Sequence, residues 1–147
     1  MRRLGCALAL LALAGCKSGS RSTDTRSSQL TDEKLKVKFL DEYAMGPTTP
    51  LKAEFHVVYH DNSGGLVPGG DDYEITAAIR VPPDAVSKWA DGCERARLDA
   101  RPQWAKDLVG EKKEWIATAA PDIFRCGREE RIIHVKDGII FRRLSSE

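Results

Sequence analysis

Four cysteines and three histidines are the side chains here that most readily attack, ligate or crosslink. Cys93 and Cys126 stand in the C-terminal half, and such a pair has two possible uses. In an exported protein it forms a disulfide, and closing a loop of about 34 residues would contribute about 3–4 kcal/mol. In the other use one sulfur is a nucleophile with His134 or His56 as its base, but no nucleophile signature surrounds either cysteine. The disulfide is the expectation. His56 and His60, followed by Asp61, are the residues closest to a metal motif. Four apart on a strand, their imidazoles share one face about 13 Å apart, too far to hold one ion with bonds of about 2 Å. No metal site is expected, and the pair reads as the wetter face of a sheet.

Asp61, Asn62, Asp71 and Asp72 flank the glycine-rich stretch "NSGGLVPGG". The D-x-D-x-D-G-x5-E spacing of a calcium loop is missing, so the 61–72 segment reads as a long hairpin loop. Such loops are either inert or carry a binding surface. Neither G-x-S-x-G, a phosphate-cradling glycine loop, nor H-E-x-x-H occurs. Neither a catalytic residue nor a cofactor is assigned. Trp89, Trp104 and Trp115 could form an aromatic binding face, but their spacing favours the core. "REER", Arg128 to Arg131, reads as a solvated turn.

The elements that would position these residues follow from pattern. Thr31 reads as an N-cap with Asp32 and Glu33 in the first turn, Leu30 and Leu35 as a hydrophobic staple. Leu35, Phe39 and Tyr43 recur at helical spacing until Gly46-Pro47. "AEFHVVYHD" and "DYEITAAIRV" alternate as strands, and Pro82-Pro83 ends the second. Asp84 would cap a helix with Val86, Trp89, Ala90 and Cys93 on one face. A further helix starts at Pro102, with Trp104 and Leu108 four apart. "EWIATA", "DIFRC", "ERIIHV" and "IIFRRL" read as strands, with Asp137-Gly138 turning between the last two. The fold class expected is α+β: a mostly antiparallel β-sheet with two or three helices packed on one face.

The N-terminus carries the most specific signal. Arg2 and Arg3 precede an apolar run, Leu4 to Ala14, the layout of a secretory signal peptide. As a helix the run would span about 16 Å, too short for a bilayer core of about 30 Å. It ends in Leu13-Ala14-Gly15-Cys16, which resembles the lipobox of bacterial lipoproteins. The resemblance covers only the first residues of the chain. It implies that residues 1–15 are removed and that Cys16 is the lipidated first residue, carrying acyl chains such as palmitate. Two or three chains give stable anchoring. The competing reading is a secreted protein with a chance cysteine at its cleavage point. Cys6 has no apolar run upstream to engage export. Lys17 is not the Asp that commonly retains lipoproteins at an inner membrane, so the outer membrane is favoured where one exists.

Residues 16–29 follow as lipidated cysteine and Ser-rich tether, since Lys17 to Gln29 holds no aliphatic or aromatic side chain. Residues 30–147 remain as one domain. The chain has 23 basic and 22 acidic residues, and losing Arg2 and Arg3 leaves near-balance, which argues against nucleic acid as a partner. Two function classes follow. One is an envelope lipoprotein, held to the membrane by its lipid, whose non-enzymatic domain binds an envelope or exported protein, for instance as an inhibitor or immunity protein. The other is a lipid-anchored envelope enzyme with an unrecognised thiol or metal site.

Overall fold

Seven strands form a single antiparallel sheet in the computed structural model, which describes residues 22–62, 70–97 and 101–146. In chain order these are β1 (Thr23–Arg26), β2 (Lys52–His60), β3 (Asp72–Arg80), β4 (Glu94–Ala96), β5 (Asp122–Cys126), β6 (Glu129–His134) and β7 (Ile139–Ser145). Their spatial order is β1-β2-β3-β7-β6-β5-β4. Two meanders therefore meet where β7 returns beside β3. Helices α1 (Glu33–Tyr43) and α2 (Gln103–Val109) are joined by short 3-10 turns, the longest Pro83–Trp89. The fold is α+β with a dominant antiparallel sheet, as the alternating runs imply.

The period of two decides what each face carries. Phe55, Val57, Ile75, Ala77, Ile79, Ile133 and Ile140 point to one side, where they pack with Leu40 of α1 and with Val86 and Trp89 of the 3-10 turn. Ala78, Ile132, Ile139 and Phe141 point to the other, against Ala105 and Val109 of α2 and Trp115. The helical pieces thus divide between both faces, where one face was expected. The reason is visible in β3 and β7. Ala77-Ala78-Ile79 and Ile139-Ile140-Phe141 are apolar at consecutive positions, so the central strands need cover on both sides.

Several local expectations shift. The tether gives way earlier than residue 30, because Thr23–Arg26 pairs with β2 as an edge strand. Its two threonines suit a pleated backbone, and an edge strand with one neighbour and an acidic and a basic residue needs no apolar side chain. Asp32, not Thr31, caps α1, accepting from the Lys34 and Leu35 amides, an arrangement contributing about 1 kcal/mol. "EWIATA" is not a strand. Lys113–Trp115 is a 3-10 turn, and the amides of Thr118 and Ala119 donate to the Asp137 carboxylate instead of a ladder. The final hairpin turns through Val135–Asp137, with Gly138 at φ 63°. A Cβ on Gly138 would lie 2.5 Å from the Val81 carbonyl oxygen.

"REER" is a solvated turn only at Arg128, which is exposed in the turn before β6. Glu129 and Arg131 alternate onto the α1 side of the sheet, across from Arg142. Glu129 accepts from Arg131 at 2.8 Å and from Arg142 Nε at 2.7 Å. Both guanidiniums lie within 5.4 Å of the Trp89 ring centre, the reach of cation–π attraction. Arg142 is 2 % exposed and Glu129 6 %. Burial opposes charge on Glu129, and the bonds and charges of the two arginines outweigh it, holding the carboxyl below its usual range. Gly46 closes the stack from above, since a Cβ there would lie 2.0 Å from the Trp89 ring.

His134 is buried on the α2 side. Its Nδ1 lies 2.9 Å from the Ala119 carbonyl and its Nε2 lies 3.2 Å from Arg101. A carbonyl can only accept and a guanidinium can only donate, so the ring is neutral with its proton on Nδ1. Burial pushes its pKa below 6.5; the Ala119 bond opposes this and the Arg101 charge adds to it. A depressed pKa means that this stability is present above the unfolded value of 6.5 and is lost as pH falls through the folded value. Thermal unfolding should therefore show a falling midpoint from about pH 7.5 to 5, before Glu54 and Glu129 titrate below 4.5. His134→Gln, which keeps a donor and an acceptor without titrating, should flatten that slope. An equally steep slope in the variant would contradict the assignment.

Candidate functional site

The Sγ atoms of Cys93 and Cys126 lie 2.02 Å apart, at disulfide distance. The cysteines extend the β4–β5 register by one step beyond the Glu94–Arg125 pair, so the strands bring them face to face. Arg131 lies beside them, its Nη1 donating to the Trp89 carbonyl at 2.6 Å and reaching Cys93 Sγ at 3.8 Å. A sulfur in that bond cannot act as a thiol nucleophile. His134 is far from this role too, since both its nitrogens are engaged elsewhere.

His56 and His60 share the α2 side of β2, as strand spacing requires. His56 Nε2 is 2.8 Å from Asp24 of β1. No three His, Cys, Asp or Glu residues among those described gather as metal ligands. At the ends of the 61–72 loop, the acids serve the loop itself. Tyr59 donates to Asp71 at 2.8 Å, and Asn62 donates to the Gly70 carbonyl at 2.9 Å and to Asp72 at 3.2 Å. Residues 63–69 lie outside the described residues, as does Cys16.

Two hollows compete for attention. The larger, about 730 Å³, lies between α1 and the 45–51 segment, with Val37, Met45 and Leu51 in it. Its charged rim is the solvated outer face of α1. The second is a trough on the opposite side of the sheet, built from cross-strand rungs. One rung is Arg26–His56–Thr76–Arg143 and the next is Asp24–Val58–Glu74–Ser145. Trp104, Asp107 and Leu108 of α2 form its lip around a cavity of about 240 Å³. Val58 and Glu74 also line the adjoining cavity of about 360 Å³, which extends to His60 and Arg143.

Helix α2 makes this lip because its seven residues divide between two stripes. Ala105 and Val109 are buried against the sheet, while Trp104 and Leu108, one position earlier, are half-buried beside them. Asp107 is held by Gln103, which donates to it at 2.7 Å. Trp89 and Trp115 are core, at 0 % and 2 % exposure, as spacing suggests; Trp104 is not. Its i, i+4 relation to Leu108 resembles a core stripe, and only the position of β1 beside β2 reveals that the sheet continues beyond the helix.

Among the described residues the trough carries Arg26 and Arg143 against Asp24, Asp72, Glu74 and Asp107. Glu74 meets Arg143 at 3.0 Å and His56 meets Asp24 at 2.8 Å. No family model, curated protein or solved structure matches the chain. The geometry must speak for itself. Among the described residues it offers polar groups in opposed pairs beside one indole, and no nucleophile–base pair.

Across the sheet, the cysteine pair closes the loop between the Trp89 turn and β5. Reduction under native buffer, or Cys93→Ser with Cys126→Ser, should cost about 3–4 kcal/mol in denaturant unfolding. Denatured oxidised protein should show no free thiol from these two positions. Two titratable thiols would refute the bond.

Proposed function

We propose that the chain is a lipid-anchored envelope protein whose domain binds a ligand non-enzymatically through the trough between α2 and β1–β3. The observation that supports this most is the trough itself: polar, charge-paired, with an aromatic lip and, among the described residues, no nucleophile–base pair. Pockets of this kind, with a few oriented polar groups on a rigid scaffold, are where ligands are held. An envelope or exported protein, an inhibitor's target included, would meet the same face. The lipobox at Leu13-Ala14-Gly15-Cys16 supplies the anchor, and no described helix is long and apolar enough to cross a membrane.

The early start of β1 sharpens the geometry of anchoring. Six residues, 17–22, separate Cys16 from Thr23, a span of at most about 25 Å fully extended. Thr23 pairs with Tyr59, so a lipid on Cys16 would be tethered nearest the sheet end carrying Tyr59, His60 and Asp72. The opposite end, with Leu51 and Val135, would lie farther from it.

The anchor is directly testable. Cys16→Ala should abolish incorporation of a palmitate analogue in growing bacteria and leave the leader uncut, while the domain still folds. Labelling that survives the change would overturn the lipoprotein reading.

A further inference from the structure

We infer that the trough is a saccharide site, with the indole of Trp104 as stacking platform and the rungs of β1–β3 as hydrogen-bonding floor. This rests on the trough being the binding face, as proposed above. The inference comes from matching ligand chemistry to what the trough presents.

Charge excludes the simplest ligands. Arg26 and Arg143 stand among Glu74, Asp107 and Asp72 around the cavities, with Asp24 hydrogen-bonded to His56 beside them. A phosphate or polyanion would meet carboxylates, and a cation would meet guanidiniums. An acyl chain would take the Thr76 hydroxyl out of water, at a cost of about 1–3 kcal/mol, and would desolvate the Glu74–Arg143 and His56–Asp24 pairs. A neutral, hydroxyl-rich ligand fits instead. Ionised carboxylates only accept and guanidiniums only donate, so adjacent Glu74, Arg26 and Asp107 offer both complements to a row of hydroxyls. Hydrogen bonds to such charged groups are about twice as strong as neutral ones.

Shape points the same way. A pyranose has polar edges and at least one apolar C–H face. A site for it needs an exposed flat apolar surface standing over a polar floor, and Trp104 beside Thr76 and His56 supplies that. The indole is half-buried against the core on the α2 side, and partial burial of this kind lowers the entropy lost on binding. Val58 and Glu74 line both the 240 Å³ cavity and the 360 Å³ one, so a chain of sugar units would span the two where a single unit fills one. A lipid-anchored protein held close to the envelope would meet such chains as glycans of its surroundings.

The test uses the full lipidated protein in detergent micelles, titrated with neutral tetrasaccharides: β-1,4-linked N-acetylglucosamine, β-1,4-linked glucose and α-1,4-linked glucose. Trp89 and Trp115 are buried, so a change in indole fluorescence reports Trp104. At least one tetrasaccharide should bind with a millimolar or lower dissociation constant. Trp104→Ala should weaken it by about tenfold or more, about 1.4 kcal/mol, and Trp104→Phe should restore part of the loss. Thr76→Val, a near-isosteric change on the floor, should weaken binding without moving the unfolding midpoint. Saturable binding unaffected by Trp104→Ala and Thr76→Val overturns the site. Absence of binding by all three in folded protein overturns the saccharide inference. If crosslinkers in the trough then still capture an exported protein, the broader reading stands and only the ligand class falls.

Discussion

Buried Glu129 and Arg142, with half-buried Arg131, lie on the α1 side of the sheet, and the position of nearly every other element follows from how they are paired. Glu129 joins Arg131 on its own strand to Arg142 on the next. Arg142 then donates to the Ala44 carbonyl at the end of α1, and Arg131 to the Trp89 carbonyl. One carboxylate thus fixes β6, β7, the helix terminus and the Trp89 turn together. Trp89 covers both guanidiniums and is itself held by Thr48, which accepts from its Nε1 at 2.8 Å. Removing one member of such a set leaves buried charge uncompensated, a loss of about 3–5 kcal/mol. The cysteine pair lies beside it, so the covalent link and the ionic one brace the same corner.

A second carboxylate does similar work at the sheet's edge. Glu54 is 5 % exposed and accepts from Ser27, from Lys36 of α1 at 3.2 Å and from Lys112 at 2.8 Å. Burial opposes its charge and these three partners outweigh it, lowering its pKa. The edge strand, α1 and the segment after α2 are thereby tied around one side chain. With α1 locked on one face and α2 covering only the lower part of the other, the rungs of β1–β3 stay uncovered. The trough is what remains of a sheet face wider than its short helix, and its walls are as rigid as the two braces that hold them.

Much of this was legible in the residues. The last three strands announce themselves by alternation, the proline pair ends β3, and Cys93 and Cys126 lie at disulfide distance. The failures have physical causes. Arg131 and Glu129 look solvated because charges usually are, and only their alternation with Ile133 places them inward. Thr23–Arg26 looks like tether because an edge strand needs no apolar residue. "EWIATA" alternates like a strand, yet one carboxylate, Asp137, takes the amides a ladder would need. Trp104 looks like core because its spacing is that of a core stripe. What made it a lip, the width of the sheet beneath α2, depends on β1, which the composition concealed.

The central claim is that the uncovered face of β1–β3, and not the outer side of α1, is where this protein works. Site-specific photocrosslinking in intact bacteria tests it most directly, with a benzophenone amino acid placed at Leu108 on the lip and, separately, at Met45, an exposed residue of the opposite face. The account predicts an adduct at Leu108 that sediments with membranes and loses its added mass on glycosidase treatment, with none at Met45. Adducts at Met45 alone would contradict it.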